Sequence, residues 1–198
     1  MKPLSTLAQS VRASTTMAID TQFKKMRAEG IDVIGFSVGE PDFPTPERIK
    51  QAGIRAIEAD QTKYTPTPGT LAVRQAVCQR LEEDWGLHYT TDEVVVTGGG
   101  KPVLYTALKA LVNPGDEVIL PAPYWVSYYE LIQMVGGTPV VVETTEENGF
   151  NLTPQQLRQA ITPKTKALIL NSPSNPTGMI YSRQHLEDLA QVCLEADL

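Results

Sequence analysis

From Glu93 onward the apolar positions of this chain switch back and forth between two periods. Val94-Val95-Val96-Thr97 is a short β-branched run that predicts a strand. After Gly98-Gly99-Gly100, the residues Val103, Leu104, Ala107, Leu108, Leu111 and Val112 fall on one face at helical spacing, which predicts a helix over 102–112. Asn113-Pro114-Gly115-Asp116 stops it as a turn. Strands over 118–120, 138–142 and 166–170 then alternate with helices over 124–135, over 153–161 and from Ser182 onward. Strands alternating with helices of this length predict an α/β fold, a mainly parallel sheet with helices on both faces. Nearer the N-terminus, a helix over 17–29 closes at Gly30, and 31–38 reads as a short strand. Pro46 opens a helix reaching about Asp60, and another runs to Trp85 after a proline-rich loop.

Composition narrows the functional classes. A net charge of −6 with scattered Lys and Arg gives no basic stripe for tracking phosphates, so a nucleic-acid partner is not expected. No apolar run approaches membrane-spanning length, and no membrane partner is expected. Cys78 and Cys193 sit in separate helical patterns without metal-ligand spacing, as small core thiols of a reduced, cytoplasmic protein would; no metal site is expected. The first nineteen residues lack any acid, a faint likeness to a transit peptide, but they have no apolar signal core and read as an ordinary N-terminal arm.

Candidate chemistry gathers at the ends of the predicted strands. Thr97-Gly98-Gly99-Gly100-Lys101 joins a strand to a helix N-terminus, where backbone N–H groups and the helix dipole favour an anion such as phosphate. A Walker loop fails on Pro102, which stands in place of the Ser or Thr that holds magnesium, and the dinucleotide fingerprint is weak, with Val103 in place of its third glycine. A merely tight turn is the plain alternative. Trp125, after Pro121-Ala122-Pro123-Tyr124, reads equally as a core residue opening a helix or as a flat surface for an aromatic ligand. Next to a phosphate loop, stacking is the better reading. Asn175, in Asn171-Ser172-Pro173-Ser174-Asn175-Pro176-Thr177-Gly178, is a stiffly held amide beyond a buried strand, at the edge where open α/β sheets place ligands. His88 and His185 have no partners at metal or triad spacing.

Together with Ser37-Val38-Gly39-Glu40-Pro41-Asp42-Phe43, Lys63-Tyr64 and Pro123-Tyr124-Trp125-Val126-Ser127-Tyr128, these segments resemble the class I pyridoxal-phosphate aminotransferases, in the bacterial-type aspartate branch. Their order and spacing fit across essentially the whole chain. The resemblance implies the fold-type-I architecture, with 1–45 as N-terminal arm and small-domain segment and 46–198 as the N-terminal part of the cofactor-binding large domain. It implies pyridoxal 5′-phosphate as cofactor, held by backbone groups of Gly99, Gly100 and Lys101 at the phosphate, by Trp125 stacked on the ring, and by Asn175 donating to the phenolic oxygen. Gly39 would lie against the substrate carboxylate, and Tyr64 would cross a homodimer interface to the partner's cofactor. Thr16 and Lys101, with Arg12 as a weaker candidate, resemble residues near the distal carboxylate of a dicarboxylic substrate. A cis Asn175–Pro176 bond is also implied.

In this family the lysine that forms the Schiff base, the aspartate that pairs with the pyridine nitrogen and the arginines for phosphate and carboxylate follow the point where this sequence stops. The expectation is therefore an N-terminal half, with no catalytic lysine of its own. The implied reaction moves an amino group from L-aspartate or a related amino acid to a 2-oxo acid such as 2-oxoglutarate. Alternatives are another fold-type-I enzyme, such as a C–S lyase or an alanine or aromatic/prephenate aminotransferase, and a non-catalytic binding protein.

Overall fold

The computed structural model describes residues 2–11, 15–36, 39 and 41–198, excepting the side chains of 10, 15 and 16. Arg12, one of the expected substrate contacts, and the 37–38 and 40 positions of the first motif lie outside the described residues. The chain forms two compact units, one of Met1–Arg12 with Gly99–Leu198 and one of Ala13–Gly98.

The first unit carries the sheet. A short helix α1 (Thr6–Ser10), which the sequence pattern did not announce, is capped by Ser5 Oγ accepting the Ala8 N–H. In the second unit α2 (Thr15–Ala28), α3 (Glu47–Glu58) and α4 (Leu71–Trp85) follow, close to the predicted bounds. Gly30 ends α2 in the left-handed region at φ 80°, as expected of a residue just past a helix. The chain then returns to the first unit with α5 (Gly100–Leu111), β1 (Glu117–Ala122), α6 (Val126–Met134), β2 (Thr138–Glu143), α7 (Pro154–Ala160), β3 (Thr165–Leu168) and α8 (Arg183–Ala196). α7 begins with a reciprocal cap between Thr153 and Gln156 and a proline in its first turn, so two backbone donors are satisfied locally.

All strands are parallel in the order β2-β1-β3. Glu117 through Ala122 pair in register with Thr138 through Glu143, while the β1–β3 ladder shifts by one residue after Glu117. Successive side chains of β1 point to opposite faces, and each face has its own core. Val118 and Leu120 pack with Leu108 and Val112 around α5 and with Leu131, Ile132 and Val135 around α6. Ile119 packs the other way, with Leu152, Leu157 of α7, Tyr181, and Leu189 and Val192 of α8. Helices cover both faces, as the alternating pattern predicts.

Two predicted strands differ. Residues 31–36 and 94–97 belong to no ladder, although both are rich in β-branched residues. Val96 N–H donates to Pro68 O at 3.0 Å, a loop carbonyl rather than a strand. A strand is defined by its ladder, and among the described residues the ladders join only β1, β2 and β3.

The topology creates a crevice. β1 leads through α6 on one face to β2 at one side. β2 leads through α7 on the other face back across to β3. At the carboxyl ends of β1 and β3 the chain therefore diverges to opposite faces, the arrangement that leaves a ligand crevice in open α/β sheets.

Candidate cofactor site

A cleft opens at the crevice. Pro121 near the end of β1 and Pro123 just beyond it form one wall, with Tyr124 and Tyr128 of the following segment. Asn171, Ser174 and Asn175 beyond β3 form the other, and Phe150 and Tyr181 close it. Burial raises the phenols of Tyr124, Tyr128 and Tyr181 above their ordinary value, with nearby Tyr129, Glu143 and Glu130 adding to the effect at Tyr124. These rings stay neutral and present flat, weakly polar surfaces.

Trp125 stands beside the cleft. It is the residue before α6, half-buried, and meets Tyr128 edge to face at 5.3 Å between ring centroids and 89° between planes. On its other side Lys101 Nζ lies 5.2 Å from the indole centroid, within cation–π range. Lys101 is in the first turn of α5, directly after Gly99 and Gly100. Lys101, next to the glycine loop, thus touches Trp125, and Trp125 touches Tyr128, which lines the cleft together with Asn175.

The glycine loop itself is open. A side chain at Gly98, Gly99 or Gly100 would have no neighbour within 4 Å, and Gly99 sits at φ 125°, a conformation that a residue with a Cβ rarely adopts. An anion has room to approach the N-terminus of a twelve-residue helix with a lysine in its first turn. A small phosphorylated ring fits this donor set: an anion seat, a flat indole and a walled cleft with an amide at its rim.

Asn175 is exposed at the tip of a braced loop. Its N–H donates to Asn171 Oδ1 at 2.8 Å, Gly178 N–H to Ser174 O at 2.7 Å, and Ser174 N–H to Met179 O at 2.8 Å. The Asn175–Pro176 bond is cis, as the resemblance implies. Gly39 is exposed and Tyr64 fully so; both belong to the other compact unit. Thr16 lies in α2, but its side chain is outside the described residues. Among the described residues no three His, Cys, Asp or Glu gather to hold a metal, and no helix is long and apolar enough to cross a membrane.

Phe150, Asn171 and Tyr181 were not singled out by sequence reasoning. Tyr181 carried one usable sign, an aromatic residue immediately before the helix-capping Ser182, the position of a hydrophobic staple. Phe150 carries none, because only chain return brings it to the cleft; Asn171 opens the motif that holds Asn175, directly beyond the predicted strand.

A parallel sheet covered on both faces, with a phosphate-type loop, an indole and an amide at its carboxyl edge, defines a fold-type-I α/β protein. The sequence model of the family described as aminotransferase class I and II matches residues 31–198, and the chain belongs to that family. It is 48% identical over 195 residues to an aspartate aminotransferase of Bacillus sp. (strain YM-2), covering 98% of this chain and 50% of that protein. It is 51% identical over 191 residues to an aspartate/prephenate aminotransferase of Cereibacter sphaeroides, covering 96% and 48%. Among solved structures, the Thermus thermophilus aspartate aminotransferase with maleate superposes with a TM-score of 0.96 at 43% identity, over 100% of this chain and 52% of that one. The alanine aminotransferase of Pyrococcus furiosus superposes with a TM-score of 0.93 at 31% identity, over 99% and 50%. The chain spans about half the length of the curated relatives it matches.

Proposed function

We propose that this chain supplies the cofactor cradle of an aminotransferase that uses pyridoxal 5′-phosphate to move an amino group from L-aspartate to a 2-oxo acid such as 2-oxoglutarate. The reading is carried by the run of contacts from Lys101, next to the open glycine loop, through Trp125 to Tyr128, which lines the cleft together with Asn175. When bound, the cofactor supplies an electron sink for the amino acid's α-carbon. The chain's own residues bind and orient. Backbone groups of Gly99, Gly100 and Lys101 hold the phosphate at the positive end of α5. Trp125 offers one face to the ring and keeps water off it. Asn175 donates its amide N–H to the phenolic oxygen and so favours the oxygen's anionic form.

The same reading assigns Gly39 to the substrate carboxylate and Tyr64 to the phosphate of a second copy in a homodimer, a role suited to its full exposure. Lys101 and Thr16, with Arg12 beside them, would face the distal carboxylate of a dicarboxylic substrate. The bound maleate of the Thermus relative, itself a dicarboxylate, supports that substrate class. Residues 46–198 would belong to the cofactor-binding domain and 1–45 to the arm and small-domain segment. On this reading the chain, which spans about half the length of the relatives it matches, shows no transaminase turnover alone. A rate above background requiring only this chain would contradict that.

Equilibrium dialysis of pyridoxal 5′-phosphate against the chain tests the cradle. Saturable binding, competed by inorganic phosphate and weakened by Gly99→Ala, is expected; absence of saturable binding overturns the reading. A panel of L-aspartate, L-alanine and prephenate, assayed on the full-length polypeptide, tests the substrate class. Preference for a monocarboxylic donor would remove the aspartate assignment.

A further inference from the structure

Beyond the cleft, the two peptide groups flanking Leu152 are held by two side chains of the opposite segment. Leu152 N–H donates to Tyr181 Oη at 2.9 Å, and Leu152 O lies 2.7 Å from His185 Nε2. The two rings meet edge to face, 5.1 Å between centroids and 76° between planes. Leu152 is fully buried, so these bonds replace water that cannot reach the peptide groups. The same two segments touch at further points: Asn151 Nδ2 donates to Ile180 O at 3.3 Å, and a Cβ built on Gly149 would come within 3.1 Å of Met179 Cε.

Tyr181 is also where the Asn175 loop re-enters the core. Its backbone N–H donates to Ser172 Oγ at 3.3 Å, tying the two legs of the loop together, and its ring lines the cleft across from the tip. We propose that Tyr181, through its hydroxyl on the Leu152 N–H, is a positioning residue that sets how deeply the Asn175 loop sits over the cleft. It thereby aims the Asn175 amide at a ligand's ring hydroxyl. The phenyl ring alone can bury itself at several depths; the hydroxyl bond to a fixed backbone donor selects one. The proposal rests on the cofactor reading above and adds a residue to it.

The test compares two probes on the 198-residue chain, pyridoxal 5′-phosphate and its 3-deoxy analogue, by equilibrium dialysis. The wild-type chain should prefer the hydroxylated probe by about fivefold, the value of one hydrogen bond of about 1 kcal/mol. In Tyr181→Phe that preference should shrink to less than about twofold, while competition by inorganic phosphate stays unchanged. Ser172→Ala, at an exposed position, should narrow it too, and covers the case in which Tyr181→Phe does not fold. Val192→Ala, in the same core but off the loop, should lower the melting temperature and keep the preference. An unchanged preference in folded Tyr181→Phe or, failing that variant, in Ser172→Ala overturns the positioning role, as does equal narrowing in Val192→Ala. Equal affinity of the wild-type chain for both probes, or no binding of either, sinks the cofactor reading and this inference with it.

Discussion

The two compact units use similar sequence patterns to opposite effect. In the sheet unit, Ile119, Ile132, Leu152 and Leu157 are wholly inaccessible. In the helical unit neither α3 nor α4 has a single buried residue, and Ile49 and Ile57 on α3 are 61% and 67% exposed. α3 has a well-separated apolar stripe, with Ile49, Ile54 and Ile57 against Glu47, Lys50 and Arg55. Amphipathic periodicity therefore records that a face is meant to be covered, while burial requires the covering surface itself. The contrast separates two quantities that sequence reading tends to merge.

The largest expected effect breaks the comparison at its core. Ile132→Ala should cost about 2–5 kcal/mol by urea denaturation, because it opens a cavity beneath α6, whereas Ile57→Ala should stay within about 0.5 kcal/mol. Equal losses at the two sites would mean that the helical unit's apolar stripe is covered in solution. Next, Gly99→Ala should weaken pyridoxal 5′-phosphate binding about tenfold, equivalent to about 1.4 kcal/mol, by straining the φ of 125° and crowding the anion seat. Trp125→Ala should weaken it by a similar or slightly smaller factor, up to about 1.5 kcal/mol of ring contact, with Trp125→Leu no better. Equilibrium dialysis reads both.

A pH series sharpens the comparison further. Tyr124, Tyr128 and Tyr181 all lie in the sheet unit, and burial raises each phenol above its ordinary value of 10.0. The folded state holds these protons more tightly than the unfolded chain does. Their contribution is thus fully present below about pH 10 and is lost as the pH climbs from there through the raised values. Chemical denaturation across that range should show the sheet unit weakening, and Tyr181→Phe should flatten the slope. The smallest effect belongs to the exposed Arg158–Glu195 pair joining α7 to α8 at 2.9 Å. Arg158→Ala should cost no more than about 0.5 kcal/mol, and added salt should erase even that.

How much was legible in the sequence follows from the range of the forces involved. β1, β2, β3 and the helices between them were readable because their periodicity, caps and turns are local. The glycine loop, Trp125 and Asn175 were readable for the same reason, each being placed by Gly or Pro next to a strand end. Residues 31–36 and 94–97 were misread as strands, because a ladder partner is a long-range property that β-branched composition cannot report. Phe150 and Tyr181 escaped notice since a cleft wall exists only after the chain has crossed the sheet and come back.

β1 has one further consequence. It is the middle ribbon of the sheet, and its alternate residues serve two separate oil drops. Adding one amino acid between Asp116 and Val118 while the rest of the ladder keeps its register would turn Val118, Ile119 and Leu120 over together, emptying both interiors in a single stroke. Pro121 near its end and Pro123 just past it would swing with them, dragging the rim where a ligand would sit. This short stretch has less freedom to change length than any surface loop around it.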